Sequence, residues 1–313
     1  MRCSLNACLG YVQLTHSVTS IDTPQLWSRN PCQRHHRNSN LTLFIFGKKP
    51  TVPHLLSVPP TKTMNPPHAV VSGDGAFLQD AGATALILAG GYGLVSAFDY
   101  LTHNSIIPQN LSRKLVHILS GIFFMVSWPL FSTSMGARYF ASFVPLANGL
   151  RLVIYGLSLA TNKGLVKSVT REGKPEELLQ GPLYYVLMLA LCAVVFWRES
   201  PVGLISLAMM SGGDGVADIM GRKFGTVKIP YNKNKSWAGS ISMFVFGFLT
   251  SLAMLYYFSS LGYLQLDWTS TIERLAVISF IASVVESLPS RLIDDNLSVP
   301  LVTMITAYVC FSL

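Results

Sequence analysis

From about residue 80 onward the chain alternates long apolar runs with short polar connections. Runs of this kind predict membrane-crossing helices, because a helix needs roughly 20 apolar residues to span the hydrocarbon of a bilayer. Eight runs can be drawn, at about residues 81–98, 115–131, 139–160, 182–197, 201–220, 237–258, 275–288 and 297–313. In the fourth, Tyr184, Tyr185 and Trp197 stand where interfacial aromatic anchors stand. The seventh is short enough to be re-entrant. The expected fold is an all-α integral membrane protein, a polytopic bundle of about seven or eight transmembrane helices. No internal repeat is evident.

The connections carry a second pattern. The first, third and fifth (residues 99–114, 161–181 and 212–236) hold eleven Lys or Arg, whereas the second, fourth and sixth hold only Arg138, Arg198 and Arg274. The positive-inside rule then puts the odd-numbered connections on one face, and the seventh, with Arg291, Asp294 and Asp295, falls on that face too. Polar residues within or beside the apolar runs gather at the same side. Arg113, Lys114 and His117 open the second run, Asn148 and Arg151 lie late in the third, Asp214 and Asp218 stand where the fifth emerges, and Glu286 stands near the end of the seventh. A central Asp, Lys or Arg costs roughly 2.5–3.5 kcal/mol on insertion scales, so their convergence suggests one polar site at the membrane interface. A transporter would instead need polar groups along the full depth of the membrane.

Composition sharpens this picture. Half of the 313 residues are hydrophobic and only 12% are charged, which argues against a soluble enzyme and against a disordered chain. The net charge of +8 is concentrated in residues 1–73, which account for +6 of it and contain a single acid, Asp22. A nucleic-acid partner is therefore not indicated for the remainder. The first 73 residues are rich in Ser, Thr, His, Pro and Arg and lack a secretory apolar core, which predicts an organelle transit peptide, plastid rather than mitochondrial. A disordered cytosolic tail is the alternative. Residues 74–313 form the expected membrane domain. Cys3, Cys8, Cys32, Cys192 and Cys310 include no C-x-x-C pair, so neither a disulfide framework nor a zinc site is indicated.

The densest chemistry lies in residues 212–240. Asp214 and Asp218 are four apart, so on a helix they share a face and are spaced to hold one divalent cation. Arg222, Lys223, Lys228, Lys233 and Lys235 follow, and Gly212, Gly213, Gly215, Gly221 and Gly225 permit close approach of the backbone to a ligand. Acids for Mg²⁺, cations for phosphate oxygens and glycines for access are the parts of a magnesium–nucleotide site, here without a P-loop. The plainer reading is a basic loop with its two acids salt-bridged to Arg222 and Lys223. Arg113 and Lys114 either clamp a phosphate or cap the membrane edge, and His117 joins that clamp, accepts a proton or is a hydrogen-bonded core histidine. Glu286 is a metal ligand, a base or a buried partner for Arg151.

At these residues the chain resembles the phytol kinase family of plant plastids. The resemblance is carried by residues 111–121 (LSRKLVHILSG), 169–173 (VTREG), 212–225, 235–240 (KSWAGS) and 294–300 (DDNLSVP), and it covers about residues 80–313. More distantly, the pattern is similar to that of dolichol kinases and phosphatidate cytidylyltransferases. The resemblance implies a multipass enzyme of the plastid envelope that phosphorylates phytol with CTP and feeds tocopherol synthesis. Farnesol or geranylgeraniol is the alternative acceptor, and cytidylyl transfer to a lipid phosphate the alternative reaction. In this scheme Asp214 and Asp218 bind Mg²⁺. Arg222, Lys223, Lys233 and Lys235, with Asn232 and Ser236, hold the triphosphate, and Arg113, Lys114 and His117 complete the pocket. Asp214, Glu286 and His117 are the candidate bases. The prenol tail is expected to lie among the apolar helices of the bilayer.

Overall fold

The computed structural model describes residues 73–289 and 294–312. The expected transit segment, through residue 72, and Arg291 of the last connection lie outside the described residues. The elements are almost all helical: α1 (Gly73–His103), α2 (Gln109–Val126), α3 (Ala137–Gly156), α4 (Lys163–Val169), α5 (Gly181–Val195), α6 (Pro201–Ala208), α7 (Gly215–Phe224), α8 (Trp237–Ser260), α9 (Trp268–Ser287) and α10 (Asp295–Ser312). One small antiparallel hairpin, β1 (Lys228–Ile229) and β2 (Asn232–Ser236), precedes α8. The chain is thus all-α in its bulk, and five helical stretches among the described residues are long and apolar enough to cross a membrane: Gly73–His103, Pro175–Val195, Pro201–Phe224, Trp237–Ser260 and Trp268–Ser287. Helices α2, α3 and α10 match the other three apolar runs at 18, 20 and 18 residues. Each of them carries charged positions that lower its hydropathy, such as Arg113 and Lys114, Arg138 and Arg151, and Asp295.

Local chemistry accounts for the helix starts. Pro182 and Pro201 stand in the first turns of α5 and α6, where a missing N–H costs nothing. The side chains of Ser236 and Asp267 accept from the backbone N–H of Gly239 and Ser270 and cap α8 and α9. The Asp267 cap corrects the sequence reading of the seventh run. Hydropathy falls across Thr269–Arg274, yet the helix begins at Trp268 and reaches 20 residues, the length of a full span rather than a re-entrant turn. Similarly, α2 starts six residues before its apolar run and ends at Val126, five before the run does, so Arg113 and Lys114 are helical and not part of a loop.

The fifth run forms the axis of the bundle. α6 passes through a π-helical turn, Met209–Asp214, directly into α7, and every residue from Val202 to Gly215 is buried. This corrects the expectation that the glycines open the backbone to a ligand. Gly212, Gly213, Gly215 and Gly221 seat helices instead, and Gly225 packs on Ser236 of the hairpin. A Cβ on Gly213 would lie 3.2 Å from the Gly247 Cα of α8, and one on Gly215 would collide with Ile118 of α2. Lower down the same crossing, Gly221 of α7 faces Gly239 of α8.

Candidate active site

Residues from both ends of the chain meet where α2, α7, α9, α10 and the hairpin converge. Asp214 closes the π turn, a helical irregularity often found at functional sites. It is 5% exposed, and its Oδ2 accepts from Lys114 Nζ at 2.9 Å. One oxygen each from Asp214, Glu286 and Asp295 lies within 4.8 Å of the others. Such an all-oxygen set suits a hard divalent cation. Lys235 projects from β2 into the same group and donates to Glu286 Oε1 at 2.5 Å and to Asp295 Oδ2 at 2.8 Å. Burial works against its ammonium, but the Glu286 and Asp295 carboxylates, with Asp214 beyond, outweigh burial and hold its pKa above the ordinary lysine value. Ser240 Oγ completes the Glu286 environment at 3.3 Å.

Asp218, the second acid of the spacing pair, is not a member of this group. It lies one turn further along α7, where Arg222 Nε donates to Oδ1 at 3.1 Å and Arg113 Nη2 approaches Oδ2 at 3.5 Å. The pairing of Asp218 with Arg222 is the one the plainer reading expects. His117 stacks against Tyr185, with ring centroids 4.1 Å apart, and its Nε2 lies 3.0 Å from the Met210 carbonyl oxygen. A carbonyl only accepts, so Nε2 carries the proton and is not free to take another. Glu286 does not meet Arg151, whose guanidinium lies over the rings of Tyr92 and Tyr155 at 5.3 and 5.7 Å. Asn232 donates to the Ser287 carbonyl at 3.0 Å and pins the hairpin to the end of α9, and the Ser236 hydroxyl is engaged in capping α8.

Two cavities adjoin this cluster. The larger, of about 780 Å³, is bordered by α1, α2, α3, α4 and α5 and is partly open. Its wall is charged at one end, with Arg113, Lys114, Asp214 and Asp295, and apolar at the other, with Ile87, Phe124 and Leu189. The smaller, of about 430 Å³, is lined by the hairpin residues Asn232, Lys233 and Lys235. Arg171 and Asp295 line both cavities. Arg222 and Lys223 line neither and are exposed on α7. Asp295, Arg171 and Ser240 were not among the site residues drawn from the sequence. The only signal for them was their place in or beside the motif phrases at 169–173, 235–240 and 294–300.

Over 237 residues the chain is 64% identical to phytol kinase 1, chloroplastic, of Arabidopsis thaliana, covering 75% of this chain and 78% of that one. It is 60% identical over 290 residues to a probable phytol kinase 1, chloroplastic, of Glycine max, covering 90% and 94% of the two chains. It is 43% identical over 244 residues to farnesol kinase, chloroplastic, of Arabidopsis thaliana, covering 78% and 79%. No protein-family model matches the chain, and no solved structure matches it.

Proposed function

Because the chain belongs to the phytol kinase family, we propose that it transfers a phosphoryl group from a nucleoside triphosphate, CTP by preference, to the hydroxyl of a prenol, with phytol as acceptor and phytyl phosphate for tocopherol synthesis as product. The observation that carries this reading is the larger cavity, charged at one end and apolar at the other, which suits a molecule with one polar head and a long hydrocarbon tail. The head lies against Lys114 and Asp214. The hairpin cavity, with Lys233 and Lys235, receives the triphosphate, and Asp295 and Arg171 stand at the boundary where the two substrates meet.

Phosphoryl transfer depends on positioning and charge neutralisation more than on covalent chemistry. Asp214, Glu286 and Asp295 would hold Mg²⁺, which neutralises charge on the transferring group when bound. Lys235 bridges Glu286 and Asp295, and Lys114 pairs with the third acid, Asp214. Arg113 and Lys114 attract the phosphate from the α2 side. Lys114 engages Oδ2 of Asp214, which leaves Oδ1 for the hydroxyl proton. His117 orients α2 against the π turn through the Met210 carbonyl.

In the same reading, residues 1–73 are a plastid import segment, and residues 74–313 are a multipass domain of the plastid envelope. Helices α2, α3 and α10 complete eight spans with the five strongly apolar ones. Cysteines placed singly at Lys167, Lys228 and Glu199, in a background without native cysteines, test the topology. The first two label from one side and the third from the other. Glu199 serves here because its neighbour Arg198 is 2% exposed and unreachable. Labelling of all three from one side would refute the eight-span arrangement.

The deciding experiment supplies γ-labelled CTP to membranes containing the full chain, with phytol, farnesol and geranylgeraniol in separate reactions. The expected product is a labelled prenyl monophosphate. Release of labelled pyrophosphate would indicate cytidylyl transfer instead, and the absence of product from all three alcohols would overturn the kinase reading.

A further inference from the structure

We infer that the far end of the larger cavity is a chain-length stop, which makes this protein select its alcohol by the number of isoprene units; the inference rests on the prenol kinase reading above. Charged residues mark the near end, and four helices descend from it. Along α2 the lining runs from Lys114 to Phe124, along α1 from Val95 to Ile87, along α3 from Arg151 to Val144, and along α5 from Pro182 to Leu189. Phe124, Ile87, Val144 and Leu189 therefore form the floor. Phe124, Ile87 and Leu189 are buried, and Val144 is half-buried.

The floor is also stiff. Phe124 meets Trp128 edge to face at 5.8 Å, Trp128 stacks on Trp197 at 5.1 Å, and Trp128 meets Phe258 at 6.1 Å. Arg198 locks this aromatic plug by donating to the carbonyls of Trp128, Phe131 and Ser132 at 3.3, 2.9 and 2.7 Å. A ligand cannot push such a floor down, because close-packed interiors resist small displacements.

The depth sets the length that is read. The stretch from Lys114 to Phe124 rises about 15 Å along α2. A hydrocarbon zigzag of carbon–carbon bonds advances about 1.3 Å per atom, so roughly three isoprene units fit when laid straight. A fourth unit fits only by bending within the 780 Å³ available. A fifth meets the floor.

The test measures kcat/KM for farnesol, geranylgeraniol and the five-unit pentaprenol in membranes carrying the full chain. In the wild type the value falls at least about tenfold from geranylgeraniol to pentaprenol, the scale on which a misfit of a few carbons discriminates. Phe124→Ala opens the floor and brings pentaprenol to within about threefold of geranylgeraniol. Val144→Phe raises the floor and lowers geranylgeraniol at least about tenfold relative to farnesol. Parallel length profiles in the wild type and both variants overturn the length stop while leaving the kinase reading intact. If the wild type phosphorylates none of these alcohols, the kinase reading itself fails, and the inference with it. Should Phe124→Ala not accumulate, Val144→Phe, which removes no packing from the plug, decides the matter alone.

Discussion

Asp214→Asn is expected to insert at the wild-type level and to phosphorylate prenol roughly 10²–10³-fold more slowly, with the loss in kcat rather than in the KM for the alcohol. The substitution keeps the size and shape of the side chain and removes one negative charge. That charge is almost wholly buried and stands within 4.8 Å of the Glu286 and Asp295 oxygens. In so dry a place an electrostatic contact is far stronger than in water, and its loss falls on the step where phosphoryl charge shifts. Asp218→Asn supplies the contrast. Asp218 is 24% exposed in its side chain and is engaged with Arg113 and Arg222, so its change frees those cations rather than dismantling the acid cluster. A loss of no more than about tenfold is expected there, because contacts in such a setting are screened. The measurement is kcat per inserted molecule at saturating Mg²⁺ and nucleotide. Turnover of Asp214→Asn within about threefold of wild type would remove Asp214 from the site, and a larger loss in Asp218→Asn would return the central role to the second acid.

The second large effect is on stability, at the opposite end of the bundle. Arg198→Leu keeps most of the side-chain volume but leaves the Trp128, Phe131 and Ser132 carbonyls without their shared donor. The guanidinium also lies 4.7 Å from the Tyr263 ring, and its one acidic neighbour, Glu199, is exposed. Removing a buried charged donor from such a network costs about 3–5 kcal/mol. For a domain of this size that is a fall of roughly 6–20 °C in Tm, read by thermal unfolding in detergent. Protein that remains folded keeps its turnover with farnesol, whose three units fit above the floor without pressing on it. An unchanged Tm would mean that Arg198 contributes nothing to the plug.

Arg198 also shows where pattern reading reaches its limit. In one dimension it is one of three basic residues in the sparse connections, and the natural expectation is a solvent-facing charge. Its burial depends on residues some 66 to 70 positions earlier, and periodicity carries no information about such partners. The glycines of residues 212–221 repeat the lesson. Glycine signals that a backbone must approach something closely, but not whether that neighbour is a ligand or a helix, and here it is α8 and α2. Asp218 is the third case. Its spacing of four from Asp214 holds in any helix, but Asp214 bonds Lys114 at 2.9 Å whereas Asp218, 4.0 Å from the same ammonium, is engaged by Arg222 and Arg113.

By itself the sequence determined the helical class, the eight apolar runs to within a few residues at most of their ends, the family, and the side on which polar groups gather. These are local or additive properties: hydropathy over a window, charge counted by connection, motif phrases read in order. Only the tertiary structure decided which acids share a site, that Lys235 joins Glu286 to Asp295 across 51 and 60 positions, and that an apolar cavity ends on an aromatic floor. The reason is that helix packing, not spacing along the chain, sets distances between side chains remote in sequence, and those distances are what carry the chemistry.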